Sequence, residues 1–68
     1  MTPYDASILT LIAEMPEDYP EMRKDLVEQL ESDEARDIGK ALLDDTSGVT
    51  PESKEAAVEL KSWVRTAA

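Results

Sequence analysis

Apolar side chains recur along most of the chain at intervals of three or four residues, which is the spacing of one face of an α-helix. No segment shows the alternation of apolar and polar residues that is typical of a half-buried strand. The pattern therefore predicts an all-α protein. In the first segment the recurring residues are Tyr4, Ile8, Leu11, Ile12 and Met15.

Signals for helix ends divide this pattern into segments. Thr2-Pro3 and Thr50-Pro51 each combine an N-cap residue with a proline at the first helical position, and Pro20 restarts the pattern after a break. These signals predict helices near 3–15, 20–31, 33–44 and 51–66. One bent helix over 20–43 is an alternative to the two middle helices.

Short connections between amphipathic helices favour antiparallel packing, so we predict a compact three- or four-helix bundle in a single acidic helical domain, 1–68. The residues predicted inside are Ile8, Leu11, Ile12, Met15, Leu26, Leu30, Ile38, Leu42, Leu60 and Trp63. Because so short a chain has a thin core, we expect Trp63→Ala to cost about 3 kcal/mol or more and largely to unfold the chain.

Several apolar residues fall outside the predicted core faces. A thin core with additional apolar surface would suit a homodimer, in which the basic side of the last helix meets the acidic surface of a second copy. The residues outside the core faces are Leu9, Ala13, Val27, Leu43 and Val58.

The composition argues against an enzyme and against a bound cofactor or metal. The chain has no cysteine and no histidine, so it lacks thiolate and imidazole ligands and the commonest general base near neutral pH. Its longest apolar stretch, Ile8 to Ala13 interrupted by Thr10, is too short to span a bilayer. We therefore expect a cytoplasmic protein without enzymatic activity, without a cofactor and without a membrane partner.

Negative charge is concentrated in the middle of the chain. The net charge is −9, and 12 of the 16 acids lie between Glu14 and Asp45, together with only four bases. Such uncompensated charge destabilises a small fold by self-repulsion, so it points to a use in recognition. At 100° per residue, three acids of the second helix form a ridge opposite its apolar face. The ridge is Glu21, Asp25 and Glu28, and the acids around it are Glu14, Glu17, Asp18, Glu31 and Asp37.

Two motif interpretations are weaker. Residues 33–65 could form a helix-turn-helix-like module for DNA, but only Lys54, Lys61 and Arg65 cluster on the last helix, and the overall charge opposes binding to phosphates. Residues 44–55 lie between two helices like a calcium loop. However, Gly48 falls one residue early for that motif, so a helix cap at Thr50 is the better interpretation.

In size, acidity and helical character the chain is similar to nuclease-inhibiting immunity proteins and to phage-encoded inhibitors that imitate DNA, a likeness of composition alone. The sequence favours a small helical protein-binding module, an inhibitor or adaptor that acts on a basic or nucleic-acid-binding protein. The alternatives are the DNA-binding module and a structural homodimer whose acidic surface serves solvation.

Overall fold

Each helix begins where the sequence supplies a cap or a proline. The computed structural model describes residues 2–67, with side chains up to Thr66. Thr2 Oγ1 accepts a hydrogen bond from the backbone N–H of Asp5, and Ser32 Oγ accepts one from Ala35. The four helices are α1 (Pro3–Glu14), α2 (Pro20–Glu28), α3 (Asp33–Leu42) and α4 (Pro51–Ala67), so the prediction of an all-α bundle is confirmed.

The middle of the chain forms two helices, not one bent helix. α2 ends at Glu28, three residues earlier than predicted, because Leu30 turns into the core and the next two backbone N–H groups bond to Asp5 instead of continuing the helix. α3 ends at Leu42, two residues earlier than predicted, and Asp44 follows in the left-handed conformation with φ of 65°. α4 begins at Pro51, and Thr50 Oγ1 caps it by accepting from Ser53 N–H.

Helices α1 and α3 form the middle of the bundle, since each packs against all three other helices. Within residues 2–67 the backbones of α2 and α4 lie apart, although Arg23 of α2 lines one depression together with Lys61 and Arg65 of α4. The largest fully buried apolar side chains are Ile12, Leu30 and Leu42. Around them lie Ile8, Leu9, Ala35, Ile38, Ala41, Val49 and Ala57.

The predicted core is partly wrong in its membership. Leu11 is 48% exposed and Trp63 is 61% exposed, so neither lies inside, and the basis for expecting Trp63→Ala to unfold the chain is lost. Met15, Leu26 and Leu60 are half-buried. The physical reason is that α1 and α4 each face the core with a sector next to the predicted core face. Part of each predicted core face therefore lies at the edge of the core.

The residues predicted outside the core faces are mostly inside or at the edge of the core. Leu9 is buried, and Ala13, Val27 and Leu43 pack against the core from its edge. Only Val58 is largely exposed, at 66%. The apolar surface from which a homodimer was predicted is therefore mostly occupied within the bundle.

Candidate functional site

A sharp connection joins α1 to α2 and turns the chain at residues 15–19. Met15 ends α1 in an extended conformation, with φ of −70° and ψ of 136°, while its N–H still donates to the carbonyl of Leu11. The N–H of Tyr19 donates to the carbonyl of Pro16 at 3.3 Å, and Pro20 then starts α2. This turn places the last residues of α1 beside the first turns of α2.

Three large apolar side chains are exposed at this turn. Leu11 is 48%, Tyr19 53% and Met22 55% exposed, and they line two adjoining shallow depressions that share Tyr19 and Met22. The depressions have volumes of about 510 and 450 Å³. We call this surface the Tyr19 groove. Its lining residues are Leu11, Glu14, Met15, Pro16, Asp18, Tyr19, Pro20, Glu21, Met22 and Asp25.

Four of the predicted binding acids line the Tyr19 groove. Glu14 borders its more apolar half, whereas Asp18, Glu21 and Asp25 border the other half. All four are exposed. The residues that line the groove include no lysine or arginine. On the side of Glu14 and Met15, the groove adjoins a depression that contains Arg23, Lys61 and Arg65.

The other predicted acids lie elsewhere. Glu28, the third member of the ridge, lines a different depression in which Lys24 and Lys40 are its neighbours. Glu17 lies near Lys61 and Arg65 at the ends of α1 and α4. Glu31 is exposed between α2 and α3, and Asp37 is half-buried on α3. The structure therefore places four predicted acids at the groove and several acids near cations, and Glu14 belongs to both groups.

A buried carboxylate supports the junction between α2 and α3. Asp5 is 0% exposed, and its two oxygens accept hydrogen bonds from the backbone N–H groups of Glu31, at 2.9 Å, and Ser32, at 3.4 Å. The hydrogen bond from Glu31 lowers the pKa of Asp5 from its ordinary value of 3.8, against the opposing effect of burial. The charge also lies at the N-terminal end of α3, where the helix dipole favours an anion.

A buried cation lies at the opposite end of α3. Arg23 of α2 is 8% exposed, and its Nη2 donates to the carbonyl of Leu42 at 3.1 Å. Its Nε is buried with no hydrogen-bond partner within the described part of the chain. Because a cation is favourable at a helix C-terminus, Asp5 and Arg23 together fix both ends of α3. In the sequence, Arg23 is one of the four bases among the acids between Glu14 and Asp45, and no pattern there marks it for burial.

The basic side of α4 is partly neutralised by neighbouring acids. Lys61 Nζ lies 3.4 Å from an oxygen of Asp44. Arg65 lines a depression that also contains Glu14 and Glu17. These neighbours reduce the positive field that a DNA-reading helix requires. The helix-turn-helix-like interpretation gains no support from them.

The apolar residues of the groove were missed because their spacing also fits a core face. Leu11 and Met15 lie on the same predicted core face as Ile8. Met22 lies on the same predicted core face as Leu26. One signal was present: Asp5, Ile8, Leu9 and Ile12 also share a helical face, which leaves Leu11 at its edge. That face contains an aspartate, and pattern analysis normally assigns such a residue to solvent.

No family model matches the chain, and no curated protein or solved structure is significantly similar to it. Residues 2–67 contain no helix that is both long and apolar enough to cross a membrane. In the same residues no group of three or more acidic, histidine or cysteine side chains is arranged to hold a metal ion. Residues 2–67 therefore form a small acidic helical bundle with several shallow depressions, and four acids line the one that we call the Tyr19 groove.

Proposed function

We propose that this chain is a protein-binding module, an inhibitor or adaptor that acts on a basic or nucleic-acid-binding protein. The observation that carries the proposal is the Tyr19 groove, where exposed apolar side chains and four acids occupy one surface. Apolar patches with a polar rim are typical of protein interaction sites. The acids attract a basic partner, and the apolar side chains then become buried in the contact.

The charge of the whole chain supports the same partner class. A net charge of −9 on 68 residues raises the association rate with a positively charged protein and repels acidic proteins. Screening shortens the range of this attraction from about 10 Å at 0.1 M salt to about 3 Å at 1 M. Association with the partner should therefore slow as salt rises.

The experiment is affinity capture from the source cells, at low and at high salt, with the captured proteins identified by mass spectrometry. The test variant reverses the charge of the ridge with Glu21→Lys, Asp25→Lys and Glu28→Lys. The matched control replaces Glu52, Glu55 and Glu59 of α4 with lysine, which changes the net charge by the same amount. Each triple variant includes one acid from the first turn of its helix, so their effects on helix stability are comparable.

Capture of a basic or nucleic-acid-binding protein that is lost at high salt and with the ridge variant, but retained by the control, is the expected result. A partner that is insensitive to salt and to the ridge substitutions would contradict the proposal. Equal loss with both variants would show that total charge, and not this surface, governs binding.

A further inference from the structure

The apolar part of the Tyr19 groove is concentrated where two helices meet. Leu11 comes from α1, Tyr19 from the connection and Met22 from α2, and half-buried Met15 lies between them. Methionine side chains are flexible and polarizable, so Met15 and Met22 can adapt to anchors of different shape. Tyrosine and methionine are also enriched in the buried centres of protein interfaces.

The rim of the groove specifies the charge of its occupant. Glu14, Asp18, Glu21 and Asp25 surround the apolar side chains, and no base lines the groove. An apolar segment with neutral or acidic flanks would leave these carboxylates uncompensated or repelled. An occupant with lysine or arginine on both sides of its apolar face would pair with them.

The backbone of the bundle limits the conformation of the occupant. Helices and their connections account for residues 2–67, with no strand among them, so this part of the chain has no sheet edge to which an extended peptide could add. Backbone N–H and C=O groups that leave water need hydrogen-bond partners. An α-helix satisfies its own backbone, so it can cover the groove without hydrogen bonds from a strand.

We propose that the Tyr19 groove binds an amphipathic α-helix of a different protein, with apolar anchors at i, i+3 or i+4 and i+7 and with lysine or arginine on both flanks. This proposal rests on the proposed function and specifies its partner. The anchors pack against Leu11, Tyr19 and Met22, and the flanking cations pair with the acids of the rim.

A second copy of this chain is a poorer occupant. Its own basic helix side, on α4, carries Lys54, Lys61 and Arg65, but Val58 is the exposed large apolar residue among them. Trp63 is also exposed, yet at 100° per residue it lies about 140° around the helix from Val58. α4 therefore does not present a row of anchors between its cations.

The test uses three fluorescently labelled synthetic peptides and measures their dissociation constants by fluorescence anisotropy. The first contains leucine and lysine, with the leucines on one helical face. The second has the same composition, with the leucines distributed around the helix. The third replaces every lysine of the first peptide with glutamate. We expect the first to bind at least about tenfold more tightly than the second, and the third not to bind.

Matched variants locate the binding surface. The groove variant is Tyr19→Ala with Met22→Ala, and the control is Val58→Ala with Trp63→Ala, which removes two large exposed side chains from α4. Circular dichroism of each verifies that it is folded. We expect the groove variant to weaken binding of the first peptide at least about tenfold and the control to change it less than about twofold.

The outcomes separate this inference from the proposed function. Equal binding of both lysine peptides would overturn the helix-binding inference while leaving an acidic protein-binding module intact. Failure of both lysine peptides to bind at low salt would overturn this inference and the proposed function together. An equal effect of the two variants would overturn the assignment to the groove. Sedimentation of the protein alone gives a further test. If the wild type were a dimer and the groove variant a monomer, a second copy would be the occupant, and the inference would be overturned.

Discussion

Asp5 is an acid that lies wholly inside a bundle with a large excess of negative charge. Its carboxylate is stabilised by the backbone N–H groups of Glu31 and Ser32 and by the N-terminal end of α3. The site favours the ionised form, because the hydrogen bond from Glu31 lowers the pKa. Asp5 thus connects the first turn of α1 to the start of α3.

We expect Asp5→Asn to lower the urea midpoint of unfolding at neutral pH, because the backbone N–H groups of Glu31 and Ser32 lose their charged acceptor. The folded-state pKa of Asp5 lies below its ordinary 3.8, so its stabilising effect is present above that pH and is lost as pH falls through the folded-state pKa. The difference between wild type and Asp5→Asn should therefore shrink in acid. Asp18→Asn, at an exposed site, is the control. A difference that stays constant through the acid range would contradict this role.

At the scale of elements, Gly39 sets the distance between α3 and α2. A Cβ at this position would lie 3.0 Å from Leu30 Cδ1 and 3.1 Å from Val27 Cγ2, closer than ordinary van der Waals contact. Leu30 is 1% exposed and fixed by its neighbours, so it cannot move away without disturbing the core. The glycine weakens α3 as an isolated helix but permits this close packing.

We expect Gly39→Ala to lower the melting temperature measured by circular dichroism, despite the gain of about 1 kcal/mol in helix propensity. The crowding against Leu30 and Val27 should exceed that gain, and Gly39→Val should lower the melting temperature further. If Gly39→Ala instead raised it, helix propensity would dominate, and the contact between α2 and α3 would be looser than described.

At the scale of the whole molecule, the charge is distributed over a body of 28 × 24 × 23 Å. The Debye length is about 30 Å at 0.01 M salt and about 3 Å at 1 M, so at low salt every acid interacts with every other. The ion pairs found among residues 2–67 are Arg36 with Asp33 and Lys61 with Asp44, and exposed pairs of this kind compensate little.

We therefore expect the urea midpoint of unfolding to rise as sodium chloride is increased from about 0.01 M to about 1 M, because screening relieves repulsion that is stronger in the compact state. The variant with Glu52, Glu55 and Glu59 changed to lysine carries less net negative charge, so its urea midpoint should rise less with salt. A midpoint that is independent of salt in the wild type would show that the acids are too well solvated to repel one another.

The sequence by itself determined the helical class and the places where the helices begin. Threonine and serine caps and first-turn prolines act within a few residues, so Thr2, Ser32 and Thr50 mark the starts of their helices by local interactions. Half of the ten buried apolar positions were also predicted, namely Ile8, Ile12, Leu30, Ile38 and Leu42, which lie near the centres of their apolar faces. Local charge predicted eight binding acids, of which four line the groove.

The tertiary structure alone decided which sector of each helix faces the core. Leu11 and Leu9 differ in direction around α1, and only the positions of the other helices select Leu9 for burial. The same choice leaves Trp63 exposed. Asp5 is buried because the N–H groups of residues 31 and 32 reach it only after α1 and α3 have packed. Spacing along a chain gives the faces of a helix, but burial depends on contacts between helices that are distant in sequence.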